Sequence, residues 1–232
     1  RTDHDYPALY DPVWAECATA FVKRAVKALH GTDTRGLKYW HTRGLTDGII
    51  REHELGYNPQ EINAEWGQTK VWLPRGYVIP RKIAGQYWNI RIRRPDGDVR
   101  EGQSKYVSPK GVANGLYRAD SLNFGCAAVI CEGEIDALSI LVGASELVRE
   151  AAVVPVATGS TTGARHLDSM VWLAKADHII VAFDADPSGD QYARWWLERF
   201  PDRAVRLRPL LHHINEMLQL QADMVTWLRS VL

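Results

Sequence analysis

The sequence predicts an α/β fold, α+β when taken whole. A parallel sheet with crossover helices occupies the later half, preceded by helices and a small antiparallel sheet. Three observations carry this expectation. The runs at 128–131, 153–157 and 178–183 are continuously apolar, as strands buried on both faces are, and helical patterns lie between them. Residues 71–107 hold short strand-like runs broken by Pro74, Gly85 and the turn Pro95-Asp96-Gly97-Asp98. The opening third repeats its apolar residues with a helical period between helix-starting and helix-stopping residues.

In chain order, Asp11 as N-cap and Pro12 at the first helical position open a helix over 13–29, which Gly31 closes. A second helix over 34–43 stops at Gly44, and Thr46 caps a short third one with Ile49 and Ile50 facing inward. Strands are expected at 71–73, 77–83, 87–93 and 99–107. After the three buried runs, a fourth strand of the parallel sheet is expected at 204–207, with helical segments to the C-terminus. These elements divide the chain into a basic N-terminal subdomain at 1–125, a parallel-sheet subdomain at 126–210 and a helical segment at 211–232. There is no internal repeat and no low-complexity tract.

With 232 residues, 46% of them apolar and 24% charged, the composition is that of a soluble globular protein large enough for two subdomains. No apolar run approaches the ~20 residues of a membrane span. No basic-then-apolar leader follows Arg1, so we expect a cytoplasmic chain without a secretory signal, a fragment of something longer. Cys17, Cys126 and Cys131 lack CxxC spacing, which leaves neither a disulfide framework nor a zinc site. The formal net charge of zero hides a local imbalance: residues 75–110 carry nine basic side chains against three acidic, and residues 126–190 carry ten acidic against three basic. A positive surface and a negative one in the same chain suit a polyanion held next to cations.

The acids have a pattern. Glu132, Glu134 and Asp136 follow one buried strand, and Asp184 and Asp186 follow another, with Pro187-Ser188-Gly189 opening a helix. Ligands of open α/β sheets gather outside such strand ends. Converging carboxylates repel one another unless hard cations with a taste for oxygen neutralise them, and a pair of such ions can drive phosphoryl or nucleotidyl transfer. Two readings stay open at each cluster, because Asp186 also suits the N-cap of a helix that begins at Pro187, and Glu132 and Glu134 suit a first helical turn.

Glu132-Gly133 with Asp136, the loop Thr158-Gly159-Ser160, and Asp184-x-Asp186-x-x-Gly189 together resemble the TOPRIM signature of DnaG-type primases, topoisomerases, some nucleases and recombination mediators. The match covers roughly the last 100 residues. Within that group, Arg43-Gly44-Leu45, Leu55-Gly56-Tyr57, Asn89-Ile90-Arg91-Ile92-Arg93 and Lys105-Tyr106-x-Ser108-Pro109-Lys110-Gly111 are similar to stretches of bacterial, phage or mobile-element DnaG-type primases, in the same order. The resemblance implies a Rossmann-like TOPRIM sheet and a catalytic core that makes RNA primers on single-stranded DNA with Mg2+ or Mn2+, two ions or more. It implies Glu132 as metal ligand or acid/base group, Asp184 and Asp186 as metal ligands, and Asp136 as a supporting carboxylate. Gly133, Gly159 and Ser160 would lie against phosphates. Arg43, Arg91, Arg93, Lys105 and Lys110 would bind template and nucleotide, with Tyr87, Trp88 and Tyr106 as either stacking platforms or core. The implied partners are template, NTPs, RNA primer, a replicative helicase and an upstream zinc-binding domain, with no membrane.

The chain departs from the family where a Lys-Asp-x-Asn/Asp-Glu stretch is expected: it has His212-His213-Ile214-Asn215-Glu216. Imidazole is a poor magnesium ligand and an acceptable manganese one. A carboxylate is lost, or metal preference is shifted, or Glu216 substitutes, or the stretch simply begins a helix. A nuclease and a nucleic-acid-binding module with a decayed metal site stay open beside the primase.

Overall fold

The computed structural model describes residues 11–110, 112, 114–160 and 162–232. Gly111, at the end of the Lys105 stretch, lies outside them. By the density of their contacts, the residues fall into two compact units, one of 1–41 with 46–113 and the other of Thr42–Leu45 with Asn114–Leu232.

The first unit opens with α1 (Pro12–Leu29), whose N-terminus is fixed as expected, the Asp11 carboxylate accepting from the N–H groups of Val13 and Trp14. Its apolar stripe of Trp14, Ala18, Phe21, Val22, Ala25 and Leu29 is buried, each of the larger side chains contributing about 1.5–3 kcal/mol. Two short helices follow, α2 (Arg35–Thr42) and α3 (Asp47–Glu52). Thr46 caps α3 through Ile49 N–H, and Ile50 is buried while Ile49 stays half-exposed. A four-stranded antiparallel sheet runs in the order β1 (Gly56–Asn58), β4 (Gly76–Ile83), β5 (Gln86–Arg93), β6 (Tyr106–Val107), beside a separate hairpin of β2 (Ile62–Trp66) and β3 (Thr69–Leu73).

Three details differ from the sequence reading. The strand expected at 99–107 shrinks to β6, because the chain first makes a 3-10 turn at Asp96–Asp98 and a second turn at Gly102 (φ +76°), and rejoins the sheet only where Arg94 N–H meets Lys105 C=O. β1 is three residues long, too short to show a period, and β2 is hidden by its Asn63 and Glu65.

The second unit holds a parallel sheet in the order β10-β9-β7-β8, formed by β7 (Ala127–Cys131), β8 (Val153–Ala157), β9 (His178–Val181) and β10 (Ala204–Arg206). Between and after them come α4 (Glu134–Gly143), α5 (Ser145–Arg149), α6 (Leu167–Leu173), α7 (Pro187–Arg199), α8 (Ile214–Gln219) and α9 (Met224–Arg229). Its core joins Ala128, Ile130, Val156, Ile179, Val181 and Phe183 with Leu173 and Trp196 of the flanking helices, all buried. The sequence places Phe183 inside the strand; β9 ends at Val181, which pairs with Ile130 of β7, and Phe183 remains buried beyond it. From β7 the chain crosses to β8 on one side and then returns to β9 on the other. Connections therefore diverge between β7 and β9, and the carboxyl ends of such a strand pair are where open α/β sheets bind ligands.

Candidate metal centre

Glu132 leaves the end of β7 and Asp184 follows β9 by three residues, so both acids stand over the divergence point. They meet there: a Glu132 carboxylate oxygen, Oε1, accepts from Asp184 N–H over 3.4 Å. Asp136 sits in the first turn of α4 and faces the same point, its Oδ1 accepting from Asn215 N–H over 3.0 Å. Asp186 caps α7, with Oδ1 accepting from Gly189 N–H over 2.7 Å, while its Oδ2 lies 3.8 Å from His212 Nε2. The capping reading of Asp186 is therefore correct for one oxygen, and the other still points to the cluster.

The crowding has an electrostatic signature. Burial, and after it the Asp184 charge, pushes the Glu132 carboxyl up to about 7. The same two causes push Asp136 up to about 6. Close, partly buried carboxylates of this kind are the donor set that a divalent ion with oxygen ligands fits. His213 adds an imidazole, its Nδ1 lying 2.9 Å from Asp184 Oδ2. Burial lowers the His213 pKa, but the hydrogen bond and charge of Asp184 outweigh it, and the net shift is upward.

Gly189 is required by close approach: a Cβ there would lie 2.2 Å from Asp184 O. Gly159 takes the left-handed region at φ +75°. In the same loop Thr158 donates from Oγ1 to Ser160 O over 2.8 Å, and Asn114 Nδ2 reaches Ser160 Oγ at 3.4 Å. Gly133 precedes α4, where a Cβ would stand 3.0 Å from Asp136 Oδ2.

Other expected residues are placed less simply. Glu216 accepts from His212 N–H through one oxygen, Oε2, over 3.2 Å and closes the start of α8. Asn215 is 4% exposed and binds Arg43 O at 2.8 Å and Ser139 Oγ at 2.9 Å, while Arg43 Nη1 donates to Asn215 Oδ1 over 3.2 Å. In the first unit Arg93 is turned inward, 6% exposed, with its guanidinium over the Tyr39 and Tyr77 rings and paired with Asp96 at 3.1 Å. Arg91 is half-buried over Tyr106, whereas Lys105 and Lys110 are exposed, Lys105 lying 3.4 Å from Asp96. Tyr87 and Trp88 are core residues.

Sequence reasoning missed Arg206. Its Nη1 donates to Val181 O, Phe183 O and Leu207 O, and its Nη2 to Asp184 O at 2.7 Å, with Asp190 beside it. An arginine in a short edge strand carries no signal of this in sequence. His212 was visible only as part of the departing stretch.

A Toprim-like family model matches residues 129–218, a span that includes Glu132, Asp136, Asp184, Asp186 and Glu216. No curated protein matches the chain. Among solved structures, the chain shares the fold of the DnaG catalytic core, with a TM-score of 0.72 at 13% identity over 94% of this chain and 80% of that one. It is also similar to the primase fragment of the bacteriophage T7 primase-helicase protein, with a TM-score of 0.58 at 14% identity over 82% of this chain and 72% of that one. A third match, with a TM-score of 0.57 at 15% identity over 82% and 88% of the two chains, comes from the bacteriophage T7 lagging-strand DNA polymerase interacting with primase domains bound to an RNA/DNA hybrid and dTTP. At these identities the common property is the fold, and it is that of a primase core carrying a Toprim-like region. Among the described residues, no helix is long and apolar enough to cross a membrane.

Proposed function

We propose that the chain is the catalytic core of a DnaG-type primase, a nucleotidyltransferase that joins ribonucleotides into short primers on single-stranded DNA. The observation that carries this reading is the meeting of Glu132 and Asp184 from adjacent parallel strands, with Asp136 beside them, on a primase-core fold. Glu132, Asp184 and Asp186 would hold divalent cations, with Asp136 in support. Bound there, the ions supply charge for the NTP phosphates and activate the primer 3′-hydroxyl. The chain's own residues position the acids: Asn215 holds Asp136, and the loop of Thr158, Gly159 and Ser160 offers backbone to a phosphate. Arg91, Lys105 and Lys110 provide positive charge for template and nucleotide, with sequence read by base pairing between them. A replicative helicase is the partner class suggested by the primase-helicase relative.

Labelled single-stranded DNA incubated with the protein, NTPs and Mg2+ or Mn2+ tests this. Extended products are expected, and should be lost in Asp184→Asn. Shortened DNA would point instead to a nuclease using the same acids. DNA binding indifferent to EDTA, with no product under any metal, would point to a binding module, a reading that rests on His213 standing where the family has an aspartate.

A further inference from the structure

Beside the carboxylates stands a second kind of donor. His213 Nδ1 is 2.9 Å from Asp184 Oδ2, and His212 Nδ1 is 3.3 Å from His213 Nδ1. The three residues each offer one ligand atom within 4.8 Å of the others. Neighbours in extended backbone usually aim their side chains apart. Here the chain bends through 211–213 and both rings are brought to one point, their centroids 4.1 Å apart. The bend is anchored to the acid loop, since Ala185 N–H donates to His212 O over 3.0 Å.

We propose that Asp184, His212 and His213 form a transition-metal site, so that this chain takes a borderline cation such as Mn2+ or Co2+ at a position where carboxylates alone would select Mg2+. Ligand atoms bonded at about 2.0–2.2 Å to one ion stand roughly 3 Å apart, and the two close pairs here are near that spacing. Two imidazoles and one carboxylate are a set that magnesium tolerates badly and first-row transition ions accept. An independent feature points the same way. The far nitrogen of His212, Nε2, faces Asp186 Oδ2 at 3.8 Å, which is how a carboxylate orients a metal-bound imidazole from behind. Asp186 thereby gains a part that capping alone does not require: one oxygen holds α7, and the other is shared between His212 and the cations of the acid cluster. Both histidine side chains are about half exposed, 54% and 52%, so an ion has access and water can complete its shell.

The inference rests on reading the acids as a metal centre and is independent of whether the product is a primer. The test uses the whole chain without DNA or nucleotide, titrated with Mn2+ by electron paramagnetic resonance and with Co2+ by visible absorption. Co2+ is expected to develop ligand-field bands on binding. His212→Ala and His213→Ala should each weaken Mn2+ and Co2+ by about tenfold or more and remove those bands, and Asp186→Asn should weaken both ions by about tenfold. His213→Asp should shift preference toward Mg2+ in competition with Mn2+. Circular dichroism checks that each variant is folded, and the histidine ring signals of the unaltered chain give a second readout, expected to broaden with substoichiometric Mn2+. Wild-type affinity and spectrum in both alanine variants, or sharp histidine signals with Mn2+ bound elsewhere, would overturn the site. Intact histidine-dependent metal binding without any primer would overturn only the reading as a primase.

Discussion

Asn215 holds Asp136 across 79 residues of sequence, its backbone N–H donating to Asp136 Oδ1 over 3.0 Å. The side chain of Asn215 fixes that N–H in place by bonding Ser139 and the main chain of Arg43, and receives Arg43 Nη1 in return. Asn215→Ala leaves these buried groups unmatched, a loss of about 1–3 kcal/mol. We expect a lower melting temperature together with weaker metal binding, both absent in Gln219→Ala, whose side chain bonds only the exposed Thr42 carbonyl. Calorimetry and metal titration check this; equal behaviour of the two variants would remove the role given to Asn215.

Gly189→Ala is expected to be far more damaging than a glycine-to-alanine change in a first helical turn usually is, because Gly189 is buried. The added carbon would meet the main chain of Asp184 at 2.2 Å, and a shift of α7 or of the acid loop must follow, typically about 1–3 kcal/mol. Gly97→Ala is the control, as nothing lies within 4 Å of the carbon it would add and its φ is ordinary. Urea midpoints of the two variants should separate clearly.

Removing metal should make stability depend on pH in one direction. Glu132 and Asp136 are raised from 4.5 and 3.8 to about 7 and about 6, and His213 is raised from 6.5. For each, the folded chain binds protons more tightly than the unfolded one, so the contribution is complete below the unfolded value and disappears as pH climbs through the folded value. The lowered carboxyls, Asp33, Asp96, Asp98 and Asp190 among them, have already delivered their share above about 4. Melting temperature in EDTA should therefore fall from pH 5 to pH 8, and added Mn2+ should flatten or reverse the trend by replacing protons. A profile that rises in EDTA over this range would contradict the described cluster.

Lys105 and Lys110 are exposed, while Arg93 is buried against two tyrosines. Replacing both lysines with alanine should weaken binding of single-stranded DNA and reduce the salt dependence, by about 0.7 in log–log slope per lost phosphate contact. Arg93→Ala should instead lower stability and leave the slope alone. Fluorescence anisotropy over a salt series distinguishes the two.

The parallel sheet was legible because double burial writes unbroken apolar runs, and the acids were legible because each stands just beyond such a run. Helix starts were legible at Asp11, Thr46 and Asp186, where the capping residue bonds locally. What sequence could not reveal depends on distant partners. The inward turn of Arg93 is set by Tyr39 and Tyr77, and the role of Asn215 by Ser139 and Arg43, whereas the bond from His212 N–H to Glu216 is local and follows a capping pattern. Strand β6 was overextended because the turn at Gly102 keeps the preceding residues out of the sheet, and only Tyr106 and Val107 pair.

Arg206 ties the carbonyls of Val181, Phe183 and Asp184 to an edge strand that is made only after them. A ribosome that has just released Asp184 has therefore not yet delivered the guanidinium that fixes it, nor the amide that fixes Asp136. The clustered acids must wait, as the nascent chain lengthens, for a late-arriving arginine and asparagine to set their final places.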